Sequence, residues 1–300
     1  MNRNIIYLIN PVSGITKKSS LVELIIKKTK EKKIQFDIVY TNAEGDYDFL
    51  KNKIQHEKIT DIIICGGDGT VNAATAALLG VDVNIGIIPA GSGNGLAFAA
   101  KIPKQVSKAL EIIFEGTASF IDGFYINNEF SCMLCGIGFD ALVAHEFAKQ
   151  KKRGLQTYIK VSLTNFFKVT PYSFIIDHDN VSFSTDAFFI SIANSNQFGN
   201  NFTIAPKASL GDGLLDIVIV KKMNKFMLPF SVLQQVTGIN AVQNINDISS
   251  KKNIIYFQTP ALTIHNNSNA PLHIDGEPKE TDKKFEIRII RNAVKLIQQV

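Results

Sequence analysis

Tryptophan is missing from this 300-residue chain and cysteine occurs only three times. Three cysteines cannot build a disulfide framework, which excludes the small secreted scaffolds. No apolar run approaches the roughly 18 to 20 residues that a membrane-spanning helix requires. The run Ile5–Ile9 is too short for a signal-peptide core and no small-residue cleavage site follows it, so the expected setting is the cytoplasm. Charge of one sign is scarce as well: 32 Lys+Arg against 27 Asp+Glu leave a net charge of +5. That permits an anionic partner without demanding one. With no recognised nucleic-acid motif and no aromatic-basic stacking pattern, nucleic acid is not expected as a partner.

What is present is ordinary globular composition, 45% hydrophobic and 20% charged, in a length that suits one large or two ordinary domains. The lysines cluster in three places. Lys17, Lys18, Lys27, Lys28, Lys30, Lys32 and Lys33 crowd the first helical region, and Lys149, Lys151, Lys152 and Arg153 form a second group. Lys221, Lys222 and Lys225 precede the apolar stretch Phe226-Met227-Leu228-Pro229-Phe230. Each cluster reads most simply as a solvated face. The functional alternative is attraction to phosphates or to an anionic membrane surface.

Through residue 122 the pattern alternates strand and helix. Buried-type strands are expected at Ile5–Ile9, Phe36–Tyr40, Ile62–Cys65 and Ile85–Ile88, with helices over Ser19–Lys33, Tyr47–His56 and Val71–Leu79. This implies a mostly parallel sheet in an α/β domain, residues 1–122, with ligands beyond the carboxyl ends of the strands. From residue 123 short strand-like runs recur between turn signals, interrupted by helical segments near Ala141–Phe167 and Lys225–Val236. Residues 123–300 therefore read as a mainly antiparallel β-sandwich domain, whose last residues can pack back on the first domain.

Gly66-Gly67-Asp68-Gly69-Thr70 is the sharpest local signal. Its glycines let backbone N–H groups approach phosphates, and the helix that follows adds its positive end. A carboxylate at Asp68 is costly beside phosphate unless Mg²⁺ stands between them, so the loop suggests metal-assisted nucleotide binding. A plain glycine-rich turn with Asp68 capping the helix is the equally weighted alternative. Neither a Walker A loop nor a dinucleotide fingerprint fits the chain. Cys132 and Cys135 fall on opposite faces of a strand-like run, and without a second pair a zinc site is not expected.

Further motifs come in a fixed order: Asn10-Pro11-Val12-Ser13-Gly14, then the Gly66–Thr70 loop, then Pro89-Ala90-Gly91-Ser92-Gly93-Asn94. Gly136-Ile137-Gly138-Phe139-Asp140, Ile204-Ala205-Pro206, Asp212-Gly213-Leu214-Leu215-Asp216 and Asp275-Gly276-Glu277 follow. The series resembles the diacylglycerol kinase catalytic family, which includes sphingosine and ceramide kinases and bacterial lipid kinases, from residue 5 to about residue 278. The resemblance implies an ATP-dependent lipid kinase in which ATP and a lipid hydroxyl meet in a cleft between two domains. It implies a nucleotide site lined by Asn10, Pro11, Val12, Ser13, Gly14, Thr41, Gly66, Gly67, Asp68, Gly69, Thr70, Val71, Asn72 and Ser92. Asp275 and Glu277 sit where the family places its catalytic carboxylates, with Asp68 as a third. Glu277 is the favoured base because its longer side chain follows the Gly276 turn. Ser209, Asp212 and Leu214 match a second, structural Mg²⁺ loop. Asp140 matches an acidic contact to the lipid head group.

The helix behind Asp140 could line an acyl pocket through Ala141–Phe147, Leu155, Tyr158, Ile159, Phe166 and Phe167, although such a stripe is more often core. His273 reads most simply as a neutral strand histidine. The chain departs from the family at Gly95 (often Asp), Ala73 (often Glu) and in the Gly199-Asn200-Asn201 turn, which leaves the acceptor open between diacylglycerol and a sphingoid base. The implied partner is lipid at a membrane surface, met peripherally by a cytoplasmic protein; a homodimer stays open. Two alternatives also stay open. One is an NAD kinase, for which Asn128-Glu129 would be the substrate pair; the other is a lipid-binding relative without catalysis.

Overall fold

A computed structural model describes residues 3–14, 18–42, 46–150, 155–166, 168–197, 203–245 and 252–299. Lys17, Lys151, Lys152, Arg153, Phe167 and the Gly199–Asn201 turn lie outside them, as do the side chains of Lys18, Leu155 and Tyr158. The chain divides into two units: Met1–Asp122 with Arg291–Val300, and Gly123–Ile290.

The first unit alternates β1 (Asn4–Ile9), α1 (Lys18–Glu31), β2 (Gln35–Tyr40), α2 (Phe49–Glu57), β3 (Asp61–Gly66), α3 (Asp68–Ala77) and β4 (Asn84–Pro89). Two helices outside the expected set follow, α4 (Gly95–Ala99) and α5 (Val106–Glu115), and then β5 (Thr117–Ile126) leads into the second unit. The four strands pair in parallel in the order β4-β3-β1-β2. β1, β3 and β4 are buried almost throughout, as continuous isoleucine runs require when helices cover both faces. β2 at the edge exposes alternate residues instead. This order puts the turns after β1, β3 and β4 at the carboxyl ends of neighbouring strands. At the opposite edge of β3, Asp61 is buried and takes both Arg3 Nε and Nη2 at 3.0 Å, while Arg3 Nη1 donates to the Ile113 carbonyl.

The second unit contains β6 (Glu129–Ser131), β7 (Leu134–Gly138), α6 (Phe139–Ala148), α7 (Leu155–Phe166), β8 (Tyr172–His178), β9 (Val181–Ala193) and β10 (Leu215–Lys221). It continues with α8 (Leu228–Val236), β11 (Ile254–Thr259), β12 (Ala261–Asn266), β13 (Leu272–Ile274) and β14 (Glu277–Lys279). The first part of β15 (Lys284–Gln298) completes it. Its pairings are antiparallel, and the long β9 contacts β7, β8 and β10. The core gathers Phe124, Ile137, Phe174, Ile190, Ile217, Phe257 and Phe285. The end of β15 returns to the first unit, pairing Lys295 and Leu296 with Asn84 and Ile85 of β4.

One expectation changes. The helical stretch expected over 141–167 contains two helices, α6 ending at Ala148 and α7 beginning at Leu155. Ala141, Val143 and Ala144 are core, whereas Ile159 and Leu163 are exposed.

Candidate active site

In the first unit the three glycine-rich turns pack on one another. The β1 turn is closed by Asn10, whose Oδ1 accepts the Val12 N–H at 3.0 Å and whose Nδ2 donates to Thr70 Oγ1 at 2.8 Å. Gly14 adopts a φ of +69°, and a Cβ there would overlap the Ala90 carbonyl oxygen. Gly67 and Gly91 meet backbone to backbone, a Cβ on Gly67 falling 3.1 Å from the Gly91 Cα. Small residues are required at these positions by close approach.

The carboxylate of Asp68 joins the second turn to the third. Its Oδ2 accepts the Asn94 N–H and its Oδ1 the Gly95 N–H, both at 2.7 Å. Asp68 thus caps the first turn of α4 across the fold and is the first residue of its own helix, α3. Asn94 completes the knot from the left-handed region, with Oδ1 on the Gly91 N–H and Nδ2 on the Gly91 carbonyl, both at 2.8 Å. Burial pushes the Asp68 carboxyl up to about 6, against the pull of these N–H groups.

The remaining nucleotide-site candidates separate by exposure. Pro11, Val12, Gly14 and Ser92 are exposed, and Ser13, Thr41, Gly67, Gly69 and Asn72 are partly so. Thr41 donates its N–H to the Ile9 carbonyl at 3.0 Å, which keeps it at the end of β1. Gly66 and Thr70 are buried beneath the loop. Val71 faces the core and gives its N–H to the Gly67 carbonyl, so its side chain and amide are both committed to the helix. The α3 amino end presents N–H groups without carbonyl partners in the helix, as every helix start does.

In the second unit Asp275 and Gly276 form the two-residue turn between β13 and β14, with φ of +52° and +81°. This is the hairpin geometry an Asp-Gly pair favours. Asp275 Oδ1 accepts the Ser131 hydroxyl at 2.7 Å and the Leu134 N–H at 3.1 Å, and its own N–H reaches the Leu134 carbonyl at 2.9 Å. Glu277, at the start of β14, is exposed. His273 Nδ1 accepts the Gly276 N–H at 3.2 Å, while its Nε2 lies 3.5 Å from Asp140 Oδ2. Both residues are buried, and a Cβ on Gly136 would overlap them. Asp140 Oδ1 accepts the Ala141 N–H at 2.8 Å. Burial first, then the nearby Asp275 and Asp140 carboxylates, push the Cys135 thiol well up.

Ser131 carried no signal in the sequence, because a lone serine beside a strand is common, and Gly136 stood out only as the first residue of the Gly136–Asp140 motif. Glu129, the acidic half of the alternative substrate pair, is engaged at 2.7 Å by Lys279. Cys132 and Cys135 are both buried free thiols. In the 209–214 loop Asp212 is exposed and its Oδ1 accepts the Leu214 N–H at 3.0 Å. Asp216 beyond it is buried, accepts Tyr256 Oη–H and the Gln258 amide, and is pushed up to about 6 by burial, with Asp212 adding to the rise. Oxygen donors beside two carboxylates suit a hard cation. Among the described residues no group of three or more His, Cys, Asp or Glu side chains is placed to hold a metal.

An α/β unit with stacked glycine turns at its strand ends, followed by an antiparallel unit with an acidic hairpin, is a two-domain kinase architecture. The chain belongs to the diacylglycerol kinase family: residues 4–126 match the diacylglycerol kinase catalytic domain, and residues 134–298 the YegS C-terminal NAD kinase beta sandwich-like domain. It is 29% identical over 248 residues to a probable lipid kinase YegS-like protein of Shewanella frigidimarina, covering 80% of this chain and 77% of that one. It is 28% identical over 274 residues to the probable lipid kinase YegS of Salmonella typhimurium, covering 89% and 87%. The fold is also that of a diacylglycerol kinase crystal structure from Bacillus anthracis, with a TM-score of 0.72 at 17% identity over 99% of this chain and 97% of that one.

Proposed function

We propose that the chain transfers the γ-phosphoryl group of ATP to the hydroxyl of a neutral lipid of the diacylglycerol type. The observation that carries the reading is the Asp275-Gly276-Glu277 hairpin: Asp275 is fixed by Ser131 and Leu134, which leaves Glu277 exposed at the start of a short strand. Glu277 would accept the hydroxyl proton as the oxygen attacks the γ-phosphorus and the bond to the bridging oxygen breaks, releasing ADP. The glycine turns and the α3 amino end would hold the phosphates through backbone N–H groups. Mg²⁺ carried by the nucleotide would neutralise phosphate charge. A second ion would be held by Asp212 with the carbonyl oxygens of Ser209 and Leu214, as a structural support.

The choice of a neutral acceptor is supported by the burial of Asp140. Its Oδ1 is on the Ala141 N–H, and its Oδ2 lies 3.5 Å from His273 Nε2 without a hydrogen bond among the described residues. A sphingoid ammonium would have to give up its hydration to reach this carboxylate, which supports an uncharged acceptor. Transfer of ³²P from labelled ATP tests the reading, with mixed micelles of diacylglycerol, ceramide or sphingoid base and with soluble NAD. Label in diacylglycerol that disappears in Glu277→Ala and Asp68→Ala supports it. Label in NAD or in the sphingoid base alone overturns it, and so does ATP binding with no label in any acceptor.

A further inference from the structure

α8 is built inside out. Its buried face carries Leu228 together with the polar Ser231 and Gln235, and Gln235 Nε2 donates to the Ile204 carbonyl at 2.9 Å. Its outward face carries Phe230 and Leu233, 55% and 59% exposed. Phe226, 88% exposed, and Met227 precede the helix, and Ile239, 69% exposed, follows it. Large apolar side chains of this kind scatter singly over a soluble surface; here they concentrate in one short segment. The same stretch has no charged residue from Phe226 to Asn246. The border before it is basic, with Lys221, Lys222 and Lys225, and beyond Asn246 the sequence runs through Asp247 to Lys251 and Lys252. Lys222 is exposed and sits 3.9 Å from Asp186, a loose surface pair.

An uncharged apolar surface edged by lysine is complementary to a bilayer with anionic headgroups: rings and aliphatic chains enter the acyl boundary while ammonium groups remain at phosphate level. A second copy of the chain fits less well, because the same stretch of a partner carries no carboxylate from Phe226 to Asn246 to meet Lys222 and Lys225. We propose that residues 226–242 are a membrane-docking surface, inserting Phe226, Phe230 and Leu233 into an anionic bilayer with Lys222 and Lys225 at its phosphates. The proposal deepens the lipid-kinase reading by naming the part of the second unit that meets the lipid phase, but its evidence is confined to this segment.

Because the chain lacks tryptophan, Phe226→Trp installs a single reporter, and Phe120→Trp, at an exposed site of the first unit, serves as the control. Vesicles of phosphatidylcholine mixed with phosphatidylglycerol should shift the Phe226→Trp emission to the blue, brominated lipid should quench it, and the control should stay unchanged. In co-sedimentation with the same vesicles, Phe226→Ser with Phe230→Ser should weaken binding by about tenfold or more. Lys222→Gln with Lys225→Gln should weaken it by about tenfold or more as well. Wild-type protein that sediments with vesicles while the reporter stays unshifted overturns the proposal, as does a wild-type protein that ignores the vesicles. A blue shift that grows with protein concentration before lipid is added assigns the surface to a second copy instead. The serine variant assayed on detergent-dispersed diacylglycerol separates the two claims: full phosphorylation there with intact vesicle binding rejects the docking surface alone, and no phosphorylation by wild type rejects the kinase reading alone.

Discussion

The Asp68 carboxylate and the Gly95 N–H, one in the turn after β3 and the other at the start of α4, meet at 2.7 Å. With the Asn94 N–H on the other oxygen, this aspartate holds the third glycine turn against the second. In the proposed phosphate site it would therefore place backbone N–H groups rather than offer a free carboxylate. Asp68→Ala should leave two amides of a partly buried helix start without an acceptor and cost about 1–3 kcal/mol of stability. Nucleotide affinity should fall by about tenfold or more beyond that, since the turn loses its register. Asp68→Asn, which keeps one acceptor oxygen, should fall between. Thermal melts and an ATP titration on the same three proteins check the order.

Glu277 has little structural work in the hairpin. Glu277→Gln should lower turnover on lipid roughly a hundred- to ten-thousand-fold, with stability within about 0.5 kcal/mol of wild type. Asp275→Ala should lower both, because Ser131 and Leu134 lose their acceptor. A Glu277→Gln enzyme with wild-type turnover would remove this residue from the base position.

His273 links the hairpin to Asp140, and in the proposed reaction it would act as a positioning residue. His273→Asn can place an amide oxygen near Nδ1 and keep the Gly276 N–H satisfied, whereas His273→Gln reaches toward Asp140 and leaves it unsatisfied. Turnover should hold better in the asparagine variant, with KM for ATP unchanged in both. Gly136→Ala, which drives a methyl group into the same pair, should destabilise by about 1–3 kcal/mol. Steady-state kinetics in ATP and in lipid separate these effects.

Asp216 makes stability depend on pH. It is fully buried and its carboxyl is raised from 3.8 to about 6, chiefly by desolvation. Between those values the folded chain keeps a proton that the unfolded chain releases. Its contribution is present at low pH and is lost as pH rises through about 6. The displacement corresponds to about 3 kcal/mol. Asp68, raised to about 6 as well, adds a slope of the same sign. Urea midpoints from pH 4 to pH 8 should show this component declining, and Asp216→Asn should remove part of the decline.

Much of the architecture was legible from periodicity. The isoleucine runs of β1, β3 and β4 mark strands buried on both faces, and the shift to short runs after Gly123 marks an antiparallel sheet. α5 is the exception that the periodicity does carry: Ala109, Leu110 and Ile113 recur at helical spacing between Gln105 and Gly116 and pack on the core, yet no helix is expected there above. Over 141–167 the apolar residues on either side of a polar centre imply one helix where there are two. At the candidate site the glycine turns, the Gly136–Asp140 string and the Asp-Gly-Glu hairpin stand out, while Ser131 and the contacts of His273 do not.

That contrast has a physical basis. Local chain chemistry decides which segments form strands, helices and turns, and it places glycine where backbones must come close and aspartate where an acid is wanted. It cannot decide what each acid faces. Asp68 meets Gly95, His273 meets Asp140 and Asp275 meets Ser131 across separations of 27, 133 and 144 residues. Only the packed sheet order brings those partners within hydrogen-bonding or ion-pair distance. The same packing turns α8 so that Gln235 is inside and Phe230 outside, because the Ile204 carbonyl needs a donor that phenylalanine lacks.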